Sequence, residues 1–275
     1  MTESHLEFYR RWHLLSKPYI AWQLEQFRPY LGKRVADVGC GLGNFTEALL
    51  DRELYLGIDL DEDLLADLNR SYGSNSNVKT LALDATSPSF PETLRGHGID
   101  TIICANVIEH IGDDGKAVEN MIASLPPGGH LCILVPALPF LFGTLDTLDG
   151  HFRRYTKRSL TERFKGQPVE IMRTFYFNLL GVPGWFVKGR ILKQTAHTND
   201  NYAIMNALLP IVKPLERLFP PPLGMSVIAI CKRRREARPA DPRSRRATKR
   251  GRRYFRELLR RIPASCESAR CPSAH

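Results

Sequence analysis

Short apolar runs recur along the first half of the chain, at Arg34–Val38, Leu54–Ile58, Val78–Leu83, Asp100–Cys104 and His130–Val135. Between them apolar positions fall at helical spacing, as in Phe45–Leu50, Glu62–Arg70 and Lys116–Leu125. Runs this short predict buried strands, and strands alternating with helices predict a parallel sheet covered on both faces. Two later runs, Glu170–Phe177 and Met225–Lys232, predict the last strands. About 45 residues separate them, including "YAIMNALLPIVKPLERLFPPPLG", too many for an unstructured connection. A helical insertion over about residues 179–222 is therefore expected. Ahead of the first strand, "FYRRWHLLSKPYIAWQLEQFRPYL" has helical spacing interrupted by Pro18 and Pro29, so one or two cap helices are expected within residues 1–30.

The first strand runs into a turn with three glycines at alternate positions, "VADVGCGLGNFTEALL", where Gly39, Gly41 and Gly43 precede a helical pattern. A glycine turn between strand and helix lets a ligand approach the backbone, because no side chains intervene and free N–H groups point outward. A nucleotide-like cofactor fits that description. The dinucleotide fingerprint would put its third glycine at position 44, which is Asn44. Asp37, two residues before Gly39, would repel a pyrophosphate but suit a cofactor with a cationic end. Asp59 ends the second strand, where a carboxylate can accept from both ribose hydroxyls, a position that would serve NAD equally. Asp84 follows the third strand, where an acceptor can meet an adenine amino group. Asn106, Glu109 and His110 follow the fourth.

Taken in order, "VADVGCGLG", "GIDLD", "LALDAT", "ANVIEHI" and "PPGGHLCILVP" resemble the class I S-adenosylmethionine-dependent methyltransferases over roughly residues 31–233. The resemblance implies an α/β fold: a doubly wound, mostly parallel seven-stranded sheet with helices on both faces and the last strand antiparallel beside the sixth. It implies S-adenosyl-L-methionine as cofactor. Asp37, Gly39, Gly41 and Gly43 would surround its methionine portion, Asp59 its ribose and Asp84 its adenine, with Asn106 near the methionine end and Cys40, Leu60 and Ala85 beside them. The activity implied is methyl transfer to a small-molecule or lipid-linked acceptor, most readily at oxygen, with nitrogen and carbon as alternatives. The segment "GTLDTLDGHFRRYTKRSL" resembles a pattern in bacterial small-molecule methyltransferases of this class.

Methyl transfer is an in-line displacement, so the protein mainly aligns the acceptor and, for a hydroxyl, helps remove its proton. His151 is the first candidate base and His110 the second, since an ordinary imidazole titrates near neutrality; Tyr155 is a third candidate catalytic residue. Arg153 and Arg154 either meet an acidic acceptor or pair with Asp146 and Asp149. Cys40 and Cys104 lack a neighbouring activating cation in the sequence and read as packing residues. Competing readings make Asp37 a turn cap and Asp59 the cap of the next helix. Trp185, Phe186, Leu192, Leu208, Leu209, Ile211 and Leu215 of the insertion either roof an apolar acceptor pocket or pack as ordinary helices.

Charge changes the picture at one end only. Residues 232–275 hold 16 Lys/Arg against 4 Asp/Glu, a net of +12, so residues 1–231 hold 23 against 25, a net of −2. A slightly acidic body disfavours nucleic acid as partner, as does "NVIE" where base methyltransferases often carry Asn/Asp-Pro-Pro-aromatic. The tail, residues 234–275, is expected to be disordered, with a basic amphipathic helix at 252–262 whose stripe Phe255, Leu258, Leu259 and Ile262 would suit peripheral contact with an anionic membrane. Six cysteines show no metal-ligand spacing, so no metal is expected; without a signal-like leader or an 18-residue apolar span, the cytoplasm is. None of the nine tyrosines has lysine four residues later, which removes a short-chain dehydrogenase. A non-catalytic cofactor-binding protein remains the third alternative.

Overall fold

Seven strands form one sheet in the computed structural model, which describes residues 5–194, 196 and 199–235. They are β1 Arg34–Val38, β2 Leu54–Asp59, β3 Val78–Ala82, β4 Thr101–Ala105, β5 His130–Pro136, β6 Val169–Phe177 and β7 Ser226–Arg233. Their order is β3-β2-β1-β4-β5-β7-β6, with β1 to β5 parallel and β7 antiparallel to both β5 and β6. This is the doubly wound, seven-stranded arrangement expected. β1 is buried from Val35 to Val38, and β5 from Leu131 to Pro136, as a sheet covered on both faces requires.

The helices are α1 His5–Phe27, α2 Glu62–Tyr72, α3 Phe90–Gly96, α4 Asp114–Ser124, α5 Thr144–Leu148, α6 Lys157–Glu162, α7 Gly181–Trp185 and α8 Asn199–Leu218, with a π-helical turn over Phe186–Ile191. Phe90 and Leu94 of α3, Val118 and Met121 of α4 and Leu160 of α6 pack against Ala36, Ile102 and Ile133. Trp22 and Phe27 of α1, Leu65 and Leu68 of α2, and Leu209 and Val212 of α8 pack with Val35, Ile103 and Leu134 on the opposite face. α1 and α8 are tied together by Asn206 Nδ2 donating to the Leu15 carbonyl and by Lys213 pairing with Glu25, both at 2.7 Å.

Two local expectations change. Pro18 does not break the cap: α1 runs through it as one helix, held by Ile20, Trp22, Leu24 and Phe27, all buried. No α-helix covers Phe45–Leu50; positive φ at Gly41 and Gly43 turns the chain, and only a short 3-10 turn, Glu47–Leu49, precedes β2. The insertion does contain helices. The expected tail helix at 252–262 lies outside the described residues.

Trp22 is 3% exposed and its ring centroid lies 4.1 Å from that of Phe177, so it fastens α1 to the end of β6. Trp22→Ala is expected to lower the unfolding free energy by about 3–5 kcal/mol, measured by urea unfolding.

Candidate functional site

Because β6 runs with β1 to β5, the loops that follow β1, β2, β3, β4 and β6 all leave the same carboxyl edge of the sheet. The glycine turn sits there. Gly39 and Cys40 both donate to the Ile58 carbonyl, at 2.7 and 3.0 Å, fastening the turn to β2. A Cβ at Gly39 would stand 2.2 Å from Val107 Cγ2, whereas one at Gly41 would meet nothing nearer than Asn44 and Tyr9 at 4.0 Å. Gly39 is thus excluded from substitution by the loop after β4, and Gly41 faces the open space.

Acidic groups surround this turn. Asp37, 2% exposed, accepts from the Tyr55 hydroxyl at 2.8 Å; burial pushes its carboxyl up to about 7, Tyr55 opposes the rise and Asp59 adds to it. Asp59 accepts from the Gly41 amide on one oxygen at 2.8 Å and from the Asp61 amide on the other at 3.0 Å. The cap of α2 is Asp61, which accepts from the Asp63 and Leu64 amides, so Asp59 braces the glycine turn instead. Asp84 Oδ1 accepts from the amide and hydroxyl of Thr86, at 2.7 and 2.8 Å. From above, α1 adds Tyr9 against Gly41 and His13, whose Nδ1 lies 2.8 Å from Asn44 Oδ1.

A second cluster follows β4. Asn106 holds φ at 57°, a left-handed conformation uncommon outside glycine, while its amide donates to Leu134 at 2.8 Å. Val107 then packs on Gly39, and the next turn presents Glu109 and His110. The His110 and His151 rings meet edge to face with centroids 4.7 Å apart. His151 Nδ1 lies 2.9 Å from Asp146 Oδ1. Asp146, 0% exposed, also accepts from Arg154 Nε at 2.6 Å, Gly143 N at 3.0 Å and Trp185 Nε1 at 3.3 Å. Burial pushes its carboxyl up, but these hydrogen bonds and the Arg154 charge outweigh it and hold the group below its ordinary range. His110 is held below its ordinary value by partial burial and by His151.

Of the expected site residues, Asp37, Gly39, Gly41, Gly43, Asp59 and Asn106 share the carboxyl edge, and His110 meets His151. Tyr155 does not join them. Its hydroxyl, in a residue 1% exposed, donates to Asp114 at 2.7 Å and sits 3.3 Å from the Ile108 carbonyl, which braces α4. Arg154 pairs with Asp146 as one reading held, but Arg153 pairs with Asp114 at 3.0 Å and with the Ile111 and Gly112 carbonyls. Cys40 is 1% exposed with its thiol raised by burial and by Asp37 and Asp59, a packing residue of the turn. Ala85 is buried under Asn120, which donates to its carbonyl at 2.8 Å, while Leu60 is 69% exposed. Sequence reading missed Tyr9, His13 and Asn44, because their contacts join segments more than thirty residues apart in sequence with no motif between them.

Residues 36–131 match a family model described as a methyltransferase domain. Ubiquinone biosynthesis O-methyltransferase of Acinetobacter baumannii is 29% identical over 130 residues, which are 47% of this chain and 54% of that protein. The chain therefore spans about half the length of the curated relatives it matches. An S-adenosylmethionine-dependent methyltransferase from Mesorhizobium loti superposes with a TM-score of 0.53 at 16% identity, covering 77% of this chain and 98% of that one. The N-methyltransferase NodS of Bradyrhizobium japonicum, solved with S-adenosyl-l-homocysteine, gives 0.50 at 14% identity over 81% and 88%. At such identities the structural likeness carries the fold.

Asp37 keeps its proton in the folded protein to about pH 7, whereas an ordinary aspartate loses it near 3.8. Between those values the folded state binds more protons, so the contribution of Asp37 to stability is complete below the lower pKa and is lost as pH rises through the higher. Asp37→Asn, which can still accept from Tyr55, is expected to gain on the order of 2–4 kcal/mol over wild type between pH 4.5 and pH 8. Urea unfolding of the cofactor-free protein at the two pH values measures it.

Proposed function

We propose, from the methyltransferase-domain match over residues 36–131 and the class I fold, that the chain is an S-adenosylmethionine-dependent methyltransferase that transfers a methyl group to an oxygen of a small-molecule or lipid-linked acceptor. The residues fit the cofactor: Gly41 faces open space, and carboxylates at Asp37 and Asp59 suit an ammonium and a sulfonium. Bound, S-adenosylmethionine supplies a methyl group on sulfur that is already electrophilic.

In this reading Asp37, Gly39, Gly41, Gly43 and Asn106 hold the methionine portion. Each Asp59 oxygen accepts one backbone N–H and keeps capacity for a ribose hydroxyl. Asp84 spends Oδ1 on Thr86, leaving Oδ2 for an adenine amino group. The observation that carries the proposal is the packing of Val107 on Gly39, which fastens the loop bearing Glu109 and His110 to the glycine turn, with His151 in ring contact with His110. With Nδ1–H held by Asp146, His151 offers Nε2 to take the acceptor proton, as an oriented imidazole base does. Oxygen as the methylated atom is supported by the O-methyltransferase relatives.

The acceptor's apolar character is supported by α8. Ile204, Leu208, Ile211, Leu215 and Leu218 recur along one face of that helix and are all at least 39% exposed, and an apolar cleft of about 270 Å³ lies between Leu179, Val212 and Phe219. That stripe suits a lipid-linked molecule and attachment at a membrane surface. No described helix is long and apolar enough to cross a membrane.

Gly41→Val and Asp59→Ala are each expected to weaken S-adenosylmethionine binding at least about tenfold in calorimetry. Wild-type protein that binds NADH and not S-adenosylmethionine would overturn the cofactor assignment. With phenolic and lipid-linked acceptors, His151→Ala is expected to slow S-adenosylhomocysteine release by roughly a hundredfold with cofactor affinity intact, and His110→Ala by less. Full activity in both variants would remove proton transfer from the histidines.

A further inference from the structure

Glu109 is wholly buried, yet neither of its carboxyl oxygens has a hydrogen-bond partner among the described residues. Its own amide is near, but no bond of normal geometry forms. A buried carboxyl left in this state calls for a missing partner, and an ion is one of the few that fit. The surrounding charges do not supply it. Arg154 acts on Glu109 only electrostatically: its Nε is held by Asp146 at 2.6 Å, its Nη1 by the Ala137 carbonyl at 3.0 Å, and its guanidinium stacks on Trp185 at 4.8 Å. Arg154 is thus spent on Asp146 and makes no hydrogen bond to Glu109.

We propose that Glu109, His110 and His151 form a binding site for one divalent transition-metal ion. A ligand atom from each lies within 4.8 Å of the other two. Coordination at about 2.1 Å brings ligand atoms to roughly 3–4 Å, so the site closes by about an ångström, a movement open to the exposed His110. One imidazole is prepared for it. Asp146 takes Nδ1–H of His151 and leaves Nε2 as its available ligand atom, the carboxylate–histidine arrangement that orients metal ligands. A donor set of two imidazole nitrogens and one carboxyl oxygen matches zinc, cobalt or ferrous ions better than magnesium or calcium, which prefer oxygen alone. Three protein ligands on one side leave positions open toward solvent, where an acceptor oxygen can bind.

The site rests on the methyltransferase reading and deepens it. Bound to the ion, an acceptor hydroxyl ionises near neutral pH and its proton leaves to solvent. An oxygen lone pair then forms the new O–C bond while the S–C bond of the methyl donor breaks, its electron pair staying on sulfur. His151 serves in this case as a ligand and not as the base.

Full-length protein stripped with a chelator and titrated with Co²⁺ is expected to take up one equivalent that gives visible absorption in the tetrahedral or five-coordinate range, displaced by Zn²⁺. Glu109→Gln, His110→Ala and His151→Ala should each weaken that uptake at least tenfold, and Asp146→Asn should weaken it by a smaller factor. S-adenosylmethionine binding, measured by calorimetry on the same samples, reports that each variant is folded. No uptake by wild type, or uptake that survives all three ligand variants, overturns the metal site while leaving the cofactor assignment standing. Uptake without S-adenosylmethionine binding would instead retain the site and remove the enzyme reading.

Discussion

A carboxylate shut away from water organises the loop edge of this protein. Asp146 is 0% exposed and accepts from a backbone amide, a histidine, an arginine and a tryptophan. An ionised carboxylate stripped of solvent is expensive unless its lone pairs are filled by well-placed donors. Filling them fixes four things at once: the start of α5, the ring of His151, the guanidinium of Arg154 and the indole that begins the insertion. Removing any one donor leaves a buried charge short of a partner, so the segment from Gly143 to Tyr155 holds together as a unit. The two histidines inherit their geometry from that unit.

The glycine turn is built on the opposite logic. It contains no ion pair, and its shape comes from backbone bonds to Ile58 and from three left-handed glycines. Asp59 fastens it through the Gly41 amide, so the carboxylate proposed to bind the cofactor ribose is also a brace of the turn. Burial keeps Asp37 protonated up to about pH 7, and a cationic ligand beside it would favour release of that proton. Cofactor binding and the protonation of Asp37 are therefore linked. Val107 fills the space that only a glycine at 39 leaves open, and the same loop meets the Asp146 unit through the Phe152 amide, which donates to the Glu109 carbonyl at 2.8 Å, and through the His110–His151 ring contact.

Most of the sheet was legible because its strands are short, apolar and separated by helical spacing; β1 matched the expected Arg34–Val38, and the ends of the others differ by no more than one residue. The missed features have physical causes. A proline was read as a break in α1, but burial of the aromatic face beyond Pro18 outweighs one lost backbone bond. The helix expected after the glycines gave way to tight turns because Gly43 at φ 85° reverses the chain just where a right-handed helix would begin. Within the site, residues belonging to one motif were found, since a motif is local. Asp146 was seen only as a partner for arginine, because nothing in "GTLDTLDGHFRRY" shows that its carboxylate is buried or that His151, five residues on, turns back to it. Glu109 stood in the sequence beside His110 without a task, and only its solvent-free, partnerless carboxyl gives it one.

The division of labour along the chain follows from topology. β1 to β4 and their loops are the part that matches the methyltransferase family model. Beyond that match lie the loop after β5 and the insertion that leaves β6 at Phe177 and returns at Ser226. Glu216 locks the departure point, accepting from the amides of Asn178 and Leu179 at 3.0 and 2.6 Å, and Leu209 and Val212 anchor α8 to the sheet. The outer face of α8 instead carries an apolar stripe, Ile204, Leu208, Ile211, Leu215 and Leu218, that is open to solvent, and an exposed apolar stripe of this kind is surface for contact with another apolar body.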